Sequence, residues 1–291
     1  MTRSERDHVL VGLIGAGIGR SLSPLLHQRE ADRRGIRLIY TTIDSQRWPL
    51  DAVELPTLLR WARVLGYRGF NVTHPFKQAI VKHLDELAPE ARAVGAVNTV
   101  VFDGGRARGH NTDGSGFRRG FEREFASVPR RQVVQLGAGG AGSAVAYALL
   151  GLGAGHLAVV DVDTARAQQL ARALAAEFGP DRVSAAAPGD LGSLLAAAQG
   201  LVNATPIGMA HHPGIPVDRA HLRSDLWVAD IVYLPIATEL LQAARAVGAR
   251  TLDGGAMATY QAVEAFERFT GVVADARAMQ ADFADLLARE V

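Results

Sequence analysis

The sequence predicts an α/β protein with two domains and largely parallel sheets. Its length of 291 residues predicts about two domains, at roughly 150 residues each. Short β-branched runs alternate with longer Ala- and Leu-rich stretches over most of the chain. One such pair is joined by a glycine-rich turn. This alternation is typical of parallel strands that are covered by helices.

The elements of the first half are short apolar runs bounded by glycine, proline or polar residues. Ser23 suits an N-cap and Pro24 suits the first helical position, so together they mark the start of the first helix. Apolar spacing of three to four residues marks the second helix. The expected strands are Val9–Ile14, Leu38–Ile43, Gly69–Val72 and Ala96–Phe102, and the expected helices are Ser23–Arg34 and Leu55–Leu65.

The second half repeats the pattern with longer helices. A helical stretch precedes Gln132, and two helical patterns with no strand between them follow the last strand. The expected strands are Gln132–Leu136, Leu157–Asp161, Gly200–Asn203, Trp227–Ile231 and Ala249–Leu252; the expected helices are Gly139–Leu152, Thr164–Glu177, Glu239–Val247, Tyr260–Phe269 and Asp275–Arg289.

Two changes of pattern predict the domain boundaries. One lies near Asp113, after a polar segment, and the other near Asp253, where the alternation stops. We therefore expect one domain at 113–252 and a discontinuous domain formed by 1–112 and 253–291. Ligands often bind in the cleft between two such lobes, so the active site is expected there.

Composition excludes several classes of protein. Thirty-one basic residues against 30 acidic ones give a net charge of +1, which argues against a nucleic-acid partner. The absence of cysteine excludes disulfides, thiolate catalysis and cysteine-bound metals. No apolar run reaches the roughly 18 residues of a membrane span, and the apolar run after His8 is too short for a signal peptide. We expect a soluble cytoplasmic protein without a membrane partner.

Gly137, Gly139 and Gly142 form a G-x-G-x-x-G turn between an apolar strand and a helix. The first glycine allows the turn, the second lets a pyrophosphate approach the backbone, and the third lets the helix pack on the strand. The helix N-terminus adds N–H donors. We expect a bound dinucleotide; a close-packed turn or another nucleotide-like ligand is the alternative. The expected contacts are Gly137, Ala138, Gly139, Gly140 and Ala141.

Two carboxylates follow the next strand. Asp161 and Asp163 can accept the hydroxyls of a ribose and repel a 2′-phosphate, which favours NAD over NADP. Arg166 is the counter-argument, because its guanidinium could hold that phosphate. The alternative role for Arg166 is an ion pair with Asp163.

An earlier glycine-rich segment does not fit a dinucleotide loop. Gly15, Gly17 and Gly19 are spaced G-x-G-x-G, and Arg20 occupies the position where the third glycine of a dinucleotide loop should fall. Ser21 and Ser23 follow. They either project two hydroxyls into a pocket or, in the case of Ser23, cap the first helix.

Lys77 lies among polar residues just after the end of the third expected strand. Asn71 and Thr73 precede it, and a helix N-terminus disfavours its positive charge. Lysine can release a proton in a protein whereas arginine cannot, and the only other lysine is Lys82. Lys77 is therefore a candidate proton carrier, with a solvated surface lysine as the alternative. Lys82 is interpreted as a surface residue.

Two further polar residues lie in apolar surroundings. Asn98 stands inside an expected strand and is either a ligand-binding amide or a satisfied core amide. Asp113 stands at a strand-to-helix turn and is either a catalytic carboxylate or a helix cap. All four asparagines of the chain lie in motif-like segments.

Taken together, these motifs resemble the shikimate/quinate dehydrogenase family over nearly the whole chain. The segments that carry the resemblance are Ser21-Leu-Ser23-Pro24, Asn71-Val-Thr73-His-Pro75-Phe-Lys77, Gly95-Ala-Val-Asn98-Thr99, Asn111-Thr-Asp113-Gly114, the Gly137 loop, Asn203-Ala-Thr205-Pro206-Ile-Gly208-Met209, Asp230-Ile-Val-Tyr233-Leu-Pro235 and Gln261.

The resemblance implies a substrate domain, a Rossmann domain, and oxidation of a ring hydroxyl of shikimate or quinate to the 3-dehydro ketone, with hydride passed to a nicotinamide. It implies an acid–base pair of Lys77 and Asp113. Hydride transfer to a nicotinamide does not require a metal ion bound to the protein. The resemblance implies substrate contacts at Ser21, Ser23, Asn71, Thr73, Asn98, Tyr233 and Gln261, and nicotinamide contacts at Ala204, Thr205 and Val232.

Departures from the family pattern refine this interpretation. Biosynthetic NADP enzymes usually carry Asn-Arg-Thr where this chain has Asp161-Val162-Asp163, so the NAD-preferring quinate/shikimate subgroup is the better match. The Ser21-x-Ser23 pair is the shikimate type, which favours shikimate over quinate. An NADP-dependent biosynthetic enzyme and an aminoshikimate-preferring relative stay open, as do a monomer and a homodimer.

Two functions of other classes share part of the pattern. A Rossmann methyltransferase also uses a glycine loop and an acid after the second strand, but it has no need of Lys77 with Asp113. A non-catalytic NAD sensor would keep the loop and lose those two residues, and here both are present.

Overall fold

The computed structural model describes residues 8–48, 51 and 54–290. The chain divides into two compact units. Unit 1 is formed by the chain up to Thr112 together with the chain from Thr259, and unit 2 is Asp113–Ala258. Within the described ranges, no helix combines the length and the apolar character that crossing a bilayer requires.

Unit 1 is built on a mixed sheet of six strands in the order β2-β1-β3-β5-β6-β4. The first three of these strands pair in parallel, whereas β5 pairs antiparallel with both β3 and β6. Because β4 again pairs in parallel with β6, three of the five pairings in this sheet are parallel, and the expectation of largely parallel sheets is confirmed. The strands are β1 (Val9–Gly15), β2 (Leu38–Asp44), β3 (Tyr67–Val72), β4 (Glu86–Leu87), β5 (Thr99–Asp103) and β6 (Arg106–His110).

Helices cover both faces of this sheet. Along β1, Leu13 packs with Phe269 on one face, and Ile14 packs with Phe70 on the other, as expected when neighbouring side chains of a strand point to opposite faces. The helices of unit 1 are α1 (Ser23–Arg33), α2 (Leu55–Val64), α3 (Phe76–Ala79), α4 (Pro89–Val94), most of α10 (Gly255–Thr270) and α11 (Ala276–Glu290).

Unit 2 is built on a fully parallel sheet in the order β12-β11-β10-β7-β8-β9. Read from the other edge, this is the 3-2-1-4-5-6 order of doubly wound nucleotide-binding sheets. Apolar clusters fill both faces, with Val133 in one and Val134 in the other. The strands are β7 (Gln132–Leu136), β8 (His156–Val160), β9 (Val183–Ala186), β10 (Gly200–Asn203), β11 (Trp227–Asp230) and β12 (Thr251–Leu252); the helices are α5 (Thr112–Phe125), α6 (Gly140–Gly151), α7 (Thr164–Phe178), α8 (Leu191–Ala197) and α9 (Glu239–Ala246).

Candidate active site

The glycine turn after β7 has the geometry of a phosphate-binding loop. Gly137 has φ of 95°, and a Cβ there would lie 2.6 Å from the Ala204 carbonyl oxygen. A Cβ on Gly142 would lie 2.3 Å from the Gly137 carbonyl oxygen, so α6 packs directly on the turn. A Cβ on Gly139 would meet no described atom within 4 Å. The open space at the second glycine, before the first turn of α6, fits a pyrophosphate.

A buried glutamine holds this turn together. The Gln135 side chain lies inside β7 and donates from Nε2 to the carbonyl oxygens of Gly137 and Gly142, both at 2.8 Å. Its Oε1 atom is buried without a hydrogen-bond partner among the described residues. The sequence analysis missed Gln135, although a glutamine within the apolar run Val133–Leu136 was a signal that could have been followed.

Asp161 ties the end of β8 to the same turn. Its carboxylate accepts from the Ala138 N–H at 2.8 Å and from the Asp163 N–H at 2.9 Å. The Arg166 guanidinium lies 3.4 Å from Asp163 Oδ2 and 4.0 Å from Asp161 Oδ1. The single positive charge of Arg166 therefore faces two carboxylates. Between those carboxylates, Val162 is 93% exposed.

The ends of β10 and β11 form a second polar cluster in unit 2. Asp230 is buried and accepts from the Asn203 amide at 3.0 Å, the Val232 N–H at 3.0 Å and the Thr238 hydroxyl at 2.8 Å. Burial raises the pKa of Asp230 to about 6, against the opposing effect of these three donors. The Asn203 Oδ1 atom in turn accepts from the Thr205 hydroxyl at 2.6 Å.

This cluster fixes the backbone that carries the three expected nicotinamide contacts. Ala204 donates its N–H to the Leu136 carbonyl at 2.8 Å, which joins it to the strand before the glycine turn. Thr205 is held by Asn203, and Val232 by Asp230. The supporting residues Asn203 and Asp230 were quoted in the motifs without a role, because a buried Asn–Asp contact between neighbouring strands is not visible in the sequence.

Asp113 and Tyr233 both belong to unit 2. Asp113 is buried in the first turn of α5, and Tyr233 is half-buried after β11. Burial raises the pKa of the Tyr233 hydroxyl, and the negative charge of Asp113 raises it further. A carboxylate and a protonated phenol of this kind are suited to binding polar groups of a ligand.

In unit 1, the earlier glycine-rich segment binds a carboxylate of the protein itself. The N–H groups of Gly17 and Ile18 donate to Asp44 at 2.9 and 3.1 Å. Burial opposes ionisation, but the N–H donors of Gln46, Gly17 and Ile18 hold the pKa of Asp44 below its usual value. These N–H groups are therefore already used, in agreement with the expectation that this segment is not a phosphate loop.

The two serines that follow do not cap α1. The helix begins at Ser23 itself, Leu22 is the N-cap without a side-chain bond, and Pro24 is the second helical residue. The capping alternative for Ser23 is therefore wrong. Instead, the Ser21 hydroxyl accepts from the Ser23 N–H at 3.3 Å, and this bond holds the two serines together in one turn.

Lys77 is half-buried near the start of the short helix α3. The Val97 N–H donates to the Lys77 carbonyl at 2.8 Å, which ties this turn to the segment before β5. Thr73 is fixed by its N–H, which donates to the Ile14 carbonyl at 2.9 Å. The backbone of unit 1 therefore joins the Lys77 turn to the segments that carry Thr73 and Asn98.

The amides of Asn71, Asn98 and Gln261 belong to one hydrogen-bonded network. Asn98 Nδ2 lies 3.3 Å from Gln261 Oε1, and Asn98 Oδ1 accepts from the Thr112 N–H at 2.8 Å. Asn71 Nδ2 lies 3.2 Å from the Thr99 hydroxyl, which in turn lies 3.1 Å from Asn98 Oδ1. Three amides from distant parts of the chain are thus brought together, which suits a ligand with several hydroxyl groups.

The structure therefore sorts the expected site residues between the two units. Within the described ranges, no group of three or more His, Asp or Glu side chains could hold a metal ion. Unit 1 carries Ser21, Ser23, Asn71, Thr73, Lys77, Asn98 and Gln261, and unit 2 carries Asp113, Gly137, Ala138, Gly139, Gly140, Ala141, Asp161, Asp163, Arg166, Ala204, Thr205, Val232 and Tyr233.

Comparison with known proteins finds similar chains over nearly the whole length. Residues 13–100 match the family model of the shikimate dehydrogenase substrate binding domain. A shikimate dehydrogenase (NADP(+)) of Streptomyces avermitilis is 56% identical, over 97% of each chain. A quinate/shikimate dehydrogenase (NAD(+)) of Corynebacterium glutamicum is 47% identical, over 96% of this chain and 99% of the other. The solved quinate dehydrogenase of Corynebacterium glutamicum in complex with NAD superimposes with a TM-score of 0.90, at 47% identity, over 96% of this chain and 99% of that one.

Proposed function

The chain belongs to the shikimate/quinate dehydrogenase family, and we propose that it interconverts shikimate with its 3-dehydro ketone by hydride transfer to and from NAD. Quinate is the alternative substrate. The observation that carries this proposal is the hydrogen-bonded amide network of Asn71, Asn98 and Gln261. It gathers directional hydrogen-bonding groups in the unit that also holds Lys77, as a small polyol requires.

The roles of the substrate-binding residues follow from their chemistry. We propose that the hydroxyls of Ser21 and Ser23, with Tyr233, hold the substrate carboxylate. Asn71, Thr73, Asn98 and Gln261 bind the ring hydroxyls. The amides of this group are held by neighbouring side chains, so little conformational entropy is lost when a ring is bound.

Lys77 and Asp113 are the proposed acid–base pair. In oxidation of the ring alcohol, the neutral amine form of Lys77 accepts the hydroxyl proton; in ketone reduction, the ammonium form of Lys77 returns a proton to the oxygen. The Asp113 carboxylate holds the lysine and the alcohol in place. Lysine can carry this proton because it exists in both protonation states, whereas none of the arginines can.

The dinucleotide is proposed to bind unit 2. When bound, its nicotinamide ring accepts hydride from the carbon that carries the alcohol. Gly137, Ala138, Gly139, Gly140 and Ala141 provide the open phosphate cradle, and Ala204, Thr205 and Val232 provide backbone beside the nicotinamide.

The preference for NAD rests on the end of β8. Arg166 is already paired with two carboxylates, and the exposed residue between those carboxylates is Val162, not a cation. A 2′-phosphate would therefore meet a net negative cluster. The relatives differ on this point: the Streptomyces avermitilis enzyme is named for NADP and the Corynebacterium glutamicum enzyme for NAD.

Steady-state oxidation of shikimate and quinate, each with NAD and with NADP, tests both parts of the proposal. We expect kcat/KM to be at least about tenfold higher with NAD, which corresponds to about 1.4 kcal/mol of discrimination. We also expect shikimate to be the better substrate. Equal use of the two dinucleotides would show that the Asp161–Asp163–Arg166 cluster does not select against the phosphate, and failure to oxidise either polyol would refute the proposed reaction.

A further inference from the structure

A chain of hydrogen bonds runs through unit 1 from a buried tyrosine to the substrate amides. The Tyr40 hydroxyl donates to Asn71 Oδ1 at 2.7 Å. Asn71 Nδ2 donates to the Thr99 hydroxyl at 3.2 Å, and that hydroxyl donates to Asn98 Oδ1 at 3.1 Å. Tyr40 is 8% exposed on β2, and nothing in the motif analysis pointed to it.

The direction of each bond follows from one fixed donor. The backbone N–H of Thr112 can only donate, so the group that it contacts on Asn98 is the carbonyl oxygen. The Thr99 hydroxyl has one proton, and it donates that proton to the same oxygen. Thr99 must then accept from Asn71, so the Asn71 NH₂ group faces Thr99 and the Asn71 oxygen faces Tyr40.

Tyr40 is itself held in place. Its ring packs against His27, with ring centroids 5.0 Å apart. His27 is fully buried, and its Nδ1 lies 2.9 Å from the Ser23 carbonyl oxygen. Because that oxygen can only accept, Nδ1 carries the proton. The α1 turn that carries Ser23 and the β3 end that carries Asn71 are thus joined through His27 and Tyr40.

We propose that Tyr40 is a positioning residue for the substrate, which fixes the Asn71 carboxamide with its oxygen turned to the core and its NH₂ group available to a ring hydroxyl. This inference rests on the proposed function. Without the Tyr40 proton, only Thr99 orients the Asn71 amide. The Thr99 hydroxyl can then turn away from Asn98 Oδ1 and donate to the Asn71 oxygen instead, because Asn98 Oδ1 keeps its bond from the Thr112 N–H. In the flipped side chain, the Asn71 oxygen would lie where the substrate otherwise meets an N–H donor.

Tyr40→Phe tests this, with Tyr67→Phe as the matched control. Tyr67 also stands in this sheet, and its hydroxyl pairs with Thr41 at 3.2 Å, away from the amide network. We expect Tyr40→Phe to raise the KM for shikimate about fivefold, the effect of roughly one hydrogen bond, with the KM for NAD unchanged. Tyr67→Phe should leave both constants unchanged.

A double-mutant cycle separates positioning from general stability. If Tyr40 acts through Asn71, the fivefold effect of Tyr40→Phe disappears in an Asn71→Ala background. Thr99→Val, which breaks the next link, should act like Tyr40→Phe, and Thr99→Ser should restore the wild-type KM. An effect of Tyr40→Phe that is the same in both backgrounds would overturn the inference.

A measurement on the unliganded protein keeps the inference separate from the proposed reaction. Selective ¹⁵N-asparagine labelling gives four side-chain amide pairs in the NMR spectrum, since the chain has four asparagines, and Asn71→Asp assigns one of them. We expect Tyr40→Phe to shift the Asn71 pair and speed its hydrogen exchange. An unchanged Asn71 amide would refute the positioning role, whereas absence of shikimate turnover in wild type alone would refute the reaction.

Discussion

Lysine is scarce in this chain, which holds Lys77 and Lys82 among 31 basic residues. Replacing Lys77 by Ala removes the proposed proton carrier, so we expect kcat to fall by about 10²–10⁴-fold with a much smaller change in KM. Lys77→Arg should be nearly as inactive, because arginine keeps the charge but cannot exchange the proton. Initial rates of shikimate oxidation measure both effects.

Lys82 provides the matched control for this prediction. It is exposed on the turn after α3, five residues further along the chain, and Lys82→Ala removes the same side chain from the same region. Its turnover should equal that of wild type. A Lys77→Ala enzyme with wild-type kcat would remove Lys77 from the mechanism.

The residues that the sequence could and could not identify differ in one physical respect. Gly137 and Gly142 were predictable, because a steric requirement leaves a mark at the residue itself. The role of Tyr40 was not, because it depends on Asn71, which lies 31 positions away. A single polar residue in an apolar strand gives no sign of which group it will meet.

Among the elements, the turn after β7 is held by side-chain bonds that a small change can remove. Gln135→Leu deletes both bonds to the glycine turn and also removes the unpaired Oε1 atom. Loss of the two bonds destabilises the fold and removal of the buried unpaired oxygen stabilises it, each by about 1–2 kcal/mol. The overall free energy of unfolding should therefore change little. The loosened turn should raise the KM for NAD several-fold and leave the KM for shikimate unchanged.

Gln199→Leu is the matched control for that change. Gln199 precedes β10, and its Oε1 accepts from the Arg131 N–H at 2.6 Å, at the opposite end of the strands from the glycine turn. Steady-state titrations of both substrates should show a normal KM for NAD in this variant. If both glutamine variants bind NAD equally well, the Gln135 bonds do not support the cofactor site.

The strands missed by the sequence analysis are those with weak strand composition. The hairpin of β5 and β6 turns through Gly104 and Gly105, both at positive φ, yet the Arg-Ala-Arg-Gly-His run of β6 lacks the β-branched residues that predict a strand. The two-residue strand β4 and the Ser- and Ala-rich β9 were missed for related reasons. The long apolar strands and helices were predicted to within a few residues.

At the scale of the whole molecule, each unit contains a buried group whose displaced pKa makes the free energy of unfolding depend on pH. In unit 1, burial lowers the pKa of His27 from 6.5 to about 4. Between about pH 6.5 and 4, the unfolded chain therefore binds a proton at His27 that the folded chain does not. The contribution of neutral His27 to the free energy of unfolding is complete above about pH 6.5 and is lost as the pH falls towards 4. Relative to wild type, the free energy of unfolding of His27→Phe should rise by about 2–3 kcal/mol between pH 6.5 and 4.5, as measured by urea unfolding at each pH.

Asp230 in unit 2 gives the opposite pH dependence of stability. Its pKa is about 6 in the folded protein against 3.8 ordinarily, so the folded state binds the proton more tightly. Its contribution to stability is complete below about pH 3.8 and is lost as the pH rises through 6. Relative to wild type, the free energy of unfolding of Asp230→Asn should therefore fall by about 1.5 kcal/mol between pH 6 and 4.5. A pH-independent difference between the two proteins would contradict this assignment.

Unit 1 is completed by helices made long after its strands. Val11 and Leu13 of β1 pack against Ala265 and Phe269 of α10, and a Cβ on Gly69 would lie 2.6 Å from the Phe269 ring. On the ribosome, the first sheet emerges early and then waits with an apolar face uncovered while all of unit 2 is translated. The domain begun first is thus the last to finish, and chaperones have the whole of that interval in which to engage it.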